Sequence, residues 1–544
     1  MKKDELLHFL LIPVIIGLLG GFSALLFRWL ISMFESFYKT INVFHSSWFY
    51  LISMPVVFWF SYTVINRLLI NKSNVTLDNI AKKISITRGN FSVLKGFTVL
   101  FLTSLNIGFG VPLGREAPIA KLGGLFGEVF LKFIKTAKVN APIYLGMAVS
   151  SAISATFNAP LAGIILGIEI IIGRVNTYII IPMIVSCATA VMFAREFLGD
   201  YVAFYVPHME FRDVYFYIVP VIGAVFGVLA VLMFYFFDMF RELRLKYRHK
   251  WSAVVLINGL IVGVLIFLVP ESMGVGYGFV TELFKGGFGG YDAFIITVVK
   301  ITVVILAIGS GLFGGLMSPS IFIGAFGGYF LGSFFTGFGV DPKVVALIGS
   351  TAMLSAISRA PLRSSVIIVE LTHSYQMLIP SLIVGSISAF LSAKFEEGGY
   401  FKRSLIQKGV DIENHSTVEF LKRLDFSRYF KHVKPLKENM PLNEAVKYFA
   451  KYHTRYIPVV DERGILRGVL TLRDVRKHYF KKDISLKEAV NHRVLVLKED
   501  SNVSEIVKIL GLINATLVPY VDKEGRYVAM VDMERLFKDI SVNA

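Results

Sequence analysis

The sequence predicts an all-α polytopic membrane domain built from two repeats, followed by a small soluble α/β domain. Three observations carry this reading. The 544-residue chain is 55% hydrophobic with a mean hydropathy of +0.64, whereas soluble chains hold ~45–50% apolar residues even with glycine counted. One constant offset of 201 residues superimposes two separate segments: Gly114, Pro118, Gly123 and Gly127 fall on Gly315, Pro319, Gly324 and Gly328, and Ala159-Pro160-Leu161 with Glu169 falls on Ala360-Pro361-Leu362 with Glu370. After Lys394 the membrane pattern breaks at Glu396-Glu397-Gly398-Gly399, and a soluble composition follows from about residue 426.

Apolar runs cover about residues 9–39, 46–70, 91–112, 141–172, 177–195, 214–240, 252–270, 291–313, 319–338, 343–372 and 376–394. A spanning helix needs ~20 apolar residues. Met1-Lys2-Lys3 before the first run resembles a signal peptide, but Asp4 and Glu5 interrupt the basic end and the run exceeds the ~7–15 residues of a signal core. It reads as the first membrane helix, entered from the cytoplasm. Residues 71–90 are polar and read as a loop with a short amphipathic helix. Several runs are interrupted by Gly or Pro, as in helices that enter the bilayer and stop. Irregular backbone at that depth is tolerated where it is buried or lines a cavity, and repeats with broken helices are a transporter pattern. The sequence leaves open whether the repeats are parallel or inverted.

The chemistry centres on Gly114-Arg115-Glu116-Ala117-Pro118. An Arg and a Glu at membrane depth are costly and default to function. Pro118 suits an early helix position, and Gly108, Gly110 and Gly114 let backbone approach closely. The expected picture is a helix N-terminus whose free N–H groups face an anion, with the Glu116 carboxylate able to occupy that place. The plainer alternative is an Arg–Glu pair tying two helices, with Arg115 holding the loop by hydrogen bonds to carbonyls. The repeat supplies a second helix start at Gly314-Gly315-Leu316-Met317-Ser318-Pro319, with backbone donors at Leu316 and Met317. Glu116 maps onto Met317, so the carboxylate is unique to the first half. The candidate anion-binding set is Gly114, Arg115, Ala117, Leu316, Met317 and Ser318. Glu169 and Glu370 follow the two Ala-Pro-Leu starts at the same interval. A buried carboxylate in lipid must be protonated, paired or wet, and both are expected to cap or tie helices.

The tail contains two similar units. In each, an apolar strand, an Asp-x-x-Gly turn and a second strand follow a helix: 442–452 and Tyr456–Asp461 with Gly464 and 466–470, then 504–512 and Leu517–Asp522 with Gly525 and 527–531. The expected domains are 1–425, 426–483 and 484–544.

Net charge is +17. The surplus fits positive-inside loops rather than nucleic acid, and the basic run at 241–250 fits a loop beside anionic lipid. The single cysteine, Cys187, excludes an intrachain disulfide and a thiolate metal cage, and no metal site is expected. No nucleophile, base and orienting group assemble into an enzyme site. A divalent-cation transporter would need rows of oxygen ligands, and acidic residues in the apolar runs are too scattered for that.

These motifs, together with Phe157-Asn158-Ala159-Pro160-Leu161-Ala162-Gly163, resemble the CLC family of chloride channels and chloride/proton antiporters, and the tail resembles a tandem CBS pair. The resemblance implies inverted halves and a homodimer with one anion pathway per subunit. It implies an inner (plasma) membrane location with both termini cytoplasmic, chloride and similar anions as substrates, and Glu116 as outer gate. It also exposes departures. An aromatic residue usually stands where this chain has Met317. Proton-coupled relatives carry an inner glutamate where this chain has Ile170, which cannot ionise. A channel or a passive or weakly coupled transporter is therefore expected, with an antiporter using an unusual proton route as the alternative. A fluoride-selective relative is discounted because Pro118 is kept. The nearest counterparts of the family's inner serine and tyrosine are Ser73 and Tyr400. The helix start at Thr471 with Asp474 matches a nucleotide-binding pattern of CBS units, so ATP, ADP or AMP is expected there, with no cofactor required for transport; Asp532-Met533-Glu534-Arg535 in the second unit lacks the ribose carboxylate.

Overall fold

The computed structural model describes residues 7–42, 48–68, 80, 92–133, 141–172, 177–200, 202–207, 209, 211–247, 249–395, 426–452, 456–472, 474–475, 484–491, 494–499, 516–533 and 535–536. The chain divides into two compact units, with the division after Ser404 rather than at the expected 425.

The first unit is helical. A π-helical turn, Leu7–Leu11, leads into α1 (Ile12–Ile41), followed by α2 (Phe49–Leu68), α3 (Val93–Gly108), α4 (Glu116–Phe133), α5 (Ala141–Phe157), α6 (Pro160–Leu166) and α7 (Thr177–Leu198). Then come α8 (Val214–Lys246), α9 (Trp251–Leu268), α10 (Tyr277–Lys285), α11 (Gly290–Gly309), α12 (Met317–Ser333), α13 (Pro342–Ser358), α14 (Pro361–Thr372) and α15 (Leu378–Phe395). Among the described residues, seven helices are long and apolar enough to cross a membrane. The apolar runs at 141–172 and 343–372 each break into two helices. Asn158 and Arg359 take left-handed φ values of 55° and 52°, and Pro160 and Pro361 start the next helix. Proline has no N–H to lose at a first turn and cannot continue the preceding helix.

The repeat governs the architecture. The starts of α4, α5, α6 and α7 each lie 201 residues before those of α12, α13, α14 and α15. Close helix approach repeats too. A Cβ on Gly123 would lie 2.5 Å from the Ala148 carbonyl oxygen, and one on Gly324 would collide with that of Gly349. In a bilayer such small-residue contacts let packing, rather than water exclusion, drive association.

The second unit holds two sheets. β2 (Leu436–Lys437), β3 (Tyr456–Val460) and β4 (Leu466–Thr471) form one, with β2 parallel and β4 antiparallel to β3. β5 (Leu497–Lys498), β6 (Leu517–Val521) and β7 (Tyr527–Asp532) repeat the arrangement. Gly464 and Gly525 both take φ 81° in the turns, and the turns bond reciprocally through Leu466 N–H to Gly525 and Tyr527 N–H to Gly464. The cores depart from the expected 426–483 and 484–544 boundaries. β1 (Phe430–Lys431) pairs with β7, and Phe426 and Tyr429 pack with Val518 and Val531. Ile484, Leu486 and Ala489 instead join the core of the first sheet with Leu436 and Leu470. The segment at 426–429 thus packs with the second sheet and the segment at 484–489 with the first. The helix expected at 504–512 lies outside the described residues, as do residues 71–79 and 81–90.

Candidate functional site

The two glycine loops meet backbone to backbone. Gly114 N–H donates to the Gly315 carbonyl at 2.8 Å and Gly315 N–H donates to that of Gly114 at 2.9 Å, an antiparallel bridge. Such reciprocity is the contact of a local two-fold axis between the halves. Upstream, Gly110 and Gly311 both take φ 91°, the left-handed conformation that glycine adopts without steric cost.

Glu116 opens α4 and is fully buried. Its Oε1 accepts from the N–H of Met317 at 2.6 Å, so the carboxylate binds the start of α12 at its own symmetry mate. Its Oε2 is buried without a hydrogen bond. A Cβ on Gly114 or Gly315 would collide with the carboxylate, so both glycines make the space it fills. Ala117, Leu316, Met317 and Ser318 are buried around it. The structure thus gathers Gly114, Glu116, Ala117, Leu316, Met317 and Ser318 at two facing helix starts, where orphan N–H groups and the helix dipole favour negative charge.

Arg115 departs from expectation. It is half-buried, its Nε is buried without a hydrogen bond, and it lines a cavity of about 670 Å³ together with Arg28, Glu35, Thr156 and Tyr277. Its Nε therefore does not hold the loop carbonyls. Tyr277 closes the same region by donating its hydroxyl to Ser318 Oγ at 3.2 Å.

Glu370 caps across the repeat. Its two oxygens accept from Leu161 N–H at 2.9 Å and Ala162 N–H at 2.7 Å, at the start of α6. Ala159, the residue before α6, gives no side-chain cap, so the other half supplies the acceptor. Glu169, expected to act likewise, is exposed. Ile170 lies in the π-helical segment Gly167–Ile172 that continues α6, and its side chain lies outside the described residues. Ser73 and Tyr400 also lie outside them.

Two buried cations escaped sequence reasoning. Lys300 on α11 is fully buried, and its ammonium donates to the carbonyls of Ser272 (2.9 Å), Met273 (3.3 Å) and Gly274 (2.7 Å). It also sits 4.3 Å from the Phe322 ring centroid. Gly274 N–H donates to Gly110 at 2.7 Å, so this lysine braces the loop behind the first glycine motif. A lone lysine inside an otherwise apolar run was the available signal. Arg363, third in α14, is 2% exposed.

In the tail, Thr471 and Asp474 close on each other. Asp474 Oδ2 accepts from Thr471 N–H at 3.0 Å and from its hydroxyl at 2.6 Å, and Thr471 Oγ1 accepts from Asp474 N–H at 3.3 Å. This reciprocal cap leaves one carboxylate oxygen outside the pair.

Comparison with protein families matches residues 72–393 to the voltage gated chloride channel family and residues 429–481 to the CBS domain. A protein of Ralstonia nicotianae, provisionally named a ClcB-like chloride channel protein, is 28% identical over 297 residues, 53% of this chain and 69% of its own length. A protein of Vibrio cholerae named H(+)/Cl(-) exchange transporter ClcA is 27% identical over 304 residues, 54% of this chain and 65% of its own. The chain thus spans about two thirds of the length of these relatives. A crystal structure of a eukaryotic CLC transporter superimposes with a TM-score of 0.75 at 18% identity, covering 97% of this chain and 98% of that one.

Proposed function

Given that the chain belongs to the voltage gated chloride channel family and ends in a CBS pair, we propose that it carries chloride and similar small anions across the membrane, with Glu116 as the gate of the path. The supporting observation is the Glu116 carboxylate held on the N–H of Met317 between two facing helix starts. A carboxylate there stands where an anion would bind, and it must leave or be protonated for the anion to pass. Membership places the chain among channels and transporters rather than enzymes.

Transport is passive or weakly proton-coupled. The inner position holds Ile170, and a branched alkyl group can neither take up nor release a proton. The names of the exchange-transporter relatives favour the second reading, an antiporter whose proton travels by water alone. Proton uptake into vesicles driven by a chloride gradient separates the two, with Ile170→Glu as comparison. The expected result is little uptake by the native protein. Robust uptake at a fixed ratio, unchanged in Ile170→Glu, would establish the antiporter.

The pathway operates in each subunit of a homodimer in the inner membrane, with both termini cytoplasmic. Light scattering on transporting protein in mild detergent is expected to give a dimer mass, and a monomer mass refutes the assembly. In the tail, an adenine nucleotide binds at Thr471 and Asp474. Calorimetry with AMP, ADP and ATP is expected to show binding that Asp474→Ala weakens about tenfold, the loss of one or two charge-assisted hydrogen bonds. No heat at millimolar nucleotide would exclude the site.

A further inference from the structure

We propose that Lys300 is a positioning residue of the anion site: it clamps the strap at 272–277, and the strap sets the spacing between the two facing helix starts. This rests on the gate reading of Glu116 and extends it to a residue on another helix.

A lysine ammonium has three donors and no acceptor. Lys300 is fully buried midway along α11, and its donors meet the carbonyls of Ser272, Met273 and Gly274. Neither a helix nor a strand turns three successive carbonyls onto one point, so the amine holds the strap in a shape of its own. It also supplies partners that the interior of a bilayer cannot. The counterpart of Lys300 in the first half is Val99, 201 residues earlier and also fully buried. A helix in this place therefore packs without an amine, and packing alone does not account for Lys300.

From this clamp the strap reaches both halves of the site. Gly274 N–H donates to the Gly110 carbonyl at 2.7 Å, at the head of the loop that runs to Gly114. At the other end Tyr277 donates to Ser318 Oγ at 3.2 Å, next to the Met317 whose N–H holds Glu116. Between them, Gly276 passes so close to the Phe322 ring that a Cβ would collide with it. Phe322 lies on α12, and the Lys300 ammonium sits 4.3 Å from its ring centroid. One amine thus fixes a short segment that touches the first-half loop and the second-half helix alike.

The consequence is one of distance. A site held about 1 Å out of geometry binds poorly even when every group is present. Without the amine, the Gly110 loop and the start of α12 lose their common tie. The Gly114–Gly315 bridge still joins them, so the fold persists while the spacing of the site loosens. Lys300 therefore acts on anion affinity through the strap.

The test is chloride flux through the full chain in vesicles, measured against chloride concentration, with the melting temperature in detergent alongside. Lys300→Met keeps the length of the side chain and removes its donors. It is expected to raise half-saturating chloride about tenfold, on the scale of one charge-assisted hydrogen bond. Lys300→Arg keeps the charge but presents a planar fork, and is expected to raise it about two- to fivefold. Ile296→Ala, a packing loss on the same helix, is expected to lower the melting temperature and leave half-saturating chloride at its native value. Tyr277→Phe releases the far end of the strap. It is expected to raise half-saturating chloride about threefold alone and hardly at all when added to Lys300→Met, because both changes cut one tie.

Native half-saturating chloride in Lys300→Met overturns the proposal, and so does a Tyr277→Phe effect that adds in full to that of Lys300→Met. Glu116→Gln, assayed beside them, tests the reading beneath. If its pH profile stays native, the gate reading fails and this proposal with it. If the profile flattens while Lys300→Met behaves as native, the gate stands and the role of Lys300 is overturned. Should Lys300→Met not fold, Lys300→Arg and Tyr277→Phe decide, and native half-saturating chloride in both overturns the proposal.

Discussion

Chloride flux through Glu116→Gln is expected to lose most of its pH dependence. In the native chain the carboxylate accepts from Met317 N–H at 2.6 Å and fills the cradle of Gly114 and Gly315. Only its ionised form competes as an anion for that place, so native flux should rise as pH falls and protonation ends the competition. The glutamine amide keeps the volume and one acceptor oxygen but carries no charge at any pH. Its flux should therefore be nearly flat between pH 5 and 8, close to the native rate at the acid end. Each tenfold difference removed corresponds to ~1.4 kcal/mol of competition. Chloride efflux from vesicles at stepped pH measures this directly. A variant that keeps the native pH profile would show that another group gates the path.

Glu370→Ala should be among the most damaging single changes for the fold. It strips the acceptors from Leu161 N–H and Ala162 N–H. Neither water nor a local side chain replaces both, since Ala162 is buried and Ala159 offers no cap. Two stranded donors cost on the order of 2–6 kcal/mol, a large share of the roughly 5–15 kcal/mol that holds a typical domain. Glu370→Gln keeps one strong acceptor and should cost about half as much. Melting curves in detergent for the pair give the ordering, and a native-like midpoint for Glu370→Ala would mean that the cap is dispensable.

Much of this architecture was legible before any coordinates. The constant offset between Gly114 and Gly315, and between Pro160 and Pro361, reappears as four pairs of helix starts because glycine and proline act on the backbone locally, wherever the chain runs. The meeting of Glu116 with Met317 was half legible. The offset named the two residues as equivalent positions, but equivalence in sequence does not reveal contact in space. The place of Arg115 was not legible for a related reason: its position beside Glu116 does not reveal that its side chain lines a cavity formed with α1 and α10. Lys300 was signalled only as a lone lysine in an apolar run, since the carbonyls it bonds, from Ser272 to Gly274, carry no motif that names them. The exchange of flanking segments in the tail was equally hidden, since two short apolar stretches do not say which of two similar sheets they cover.

The bridge between Gly114 and Gly315 also sets a schedule. Its two partners are separated by 201 residues, which at ~5–20 residues per second of synthesis amounts to roughly 10–40 s. During that interval the first glycine loop has neither its backbone partner nor the N–H that receives Glu116. The nascent first half must therefore wait in the membrane with its central polar groups provisionally satisfied, by water or by the insertion machinery. The proposed anion site is then among the last features to form, and a chain interrupted before Met317 would be a membrane protein without it.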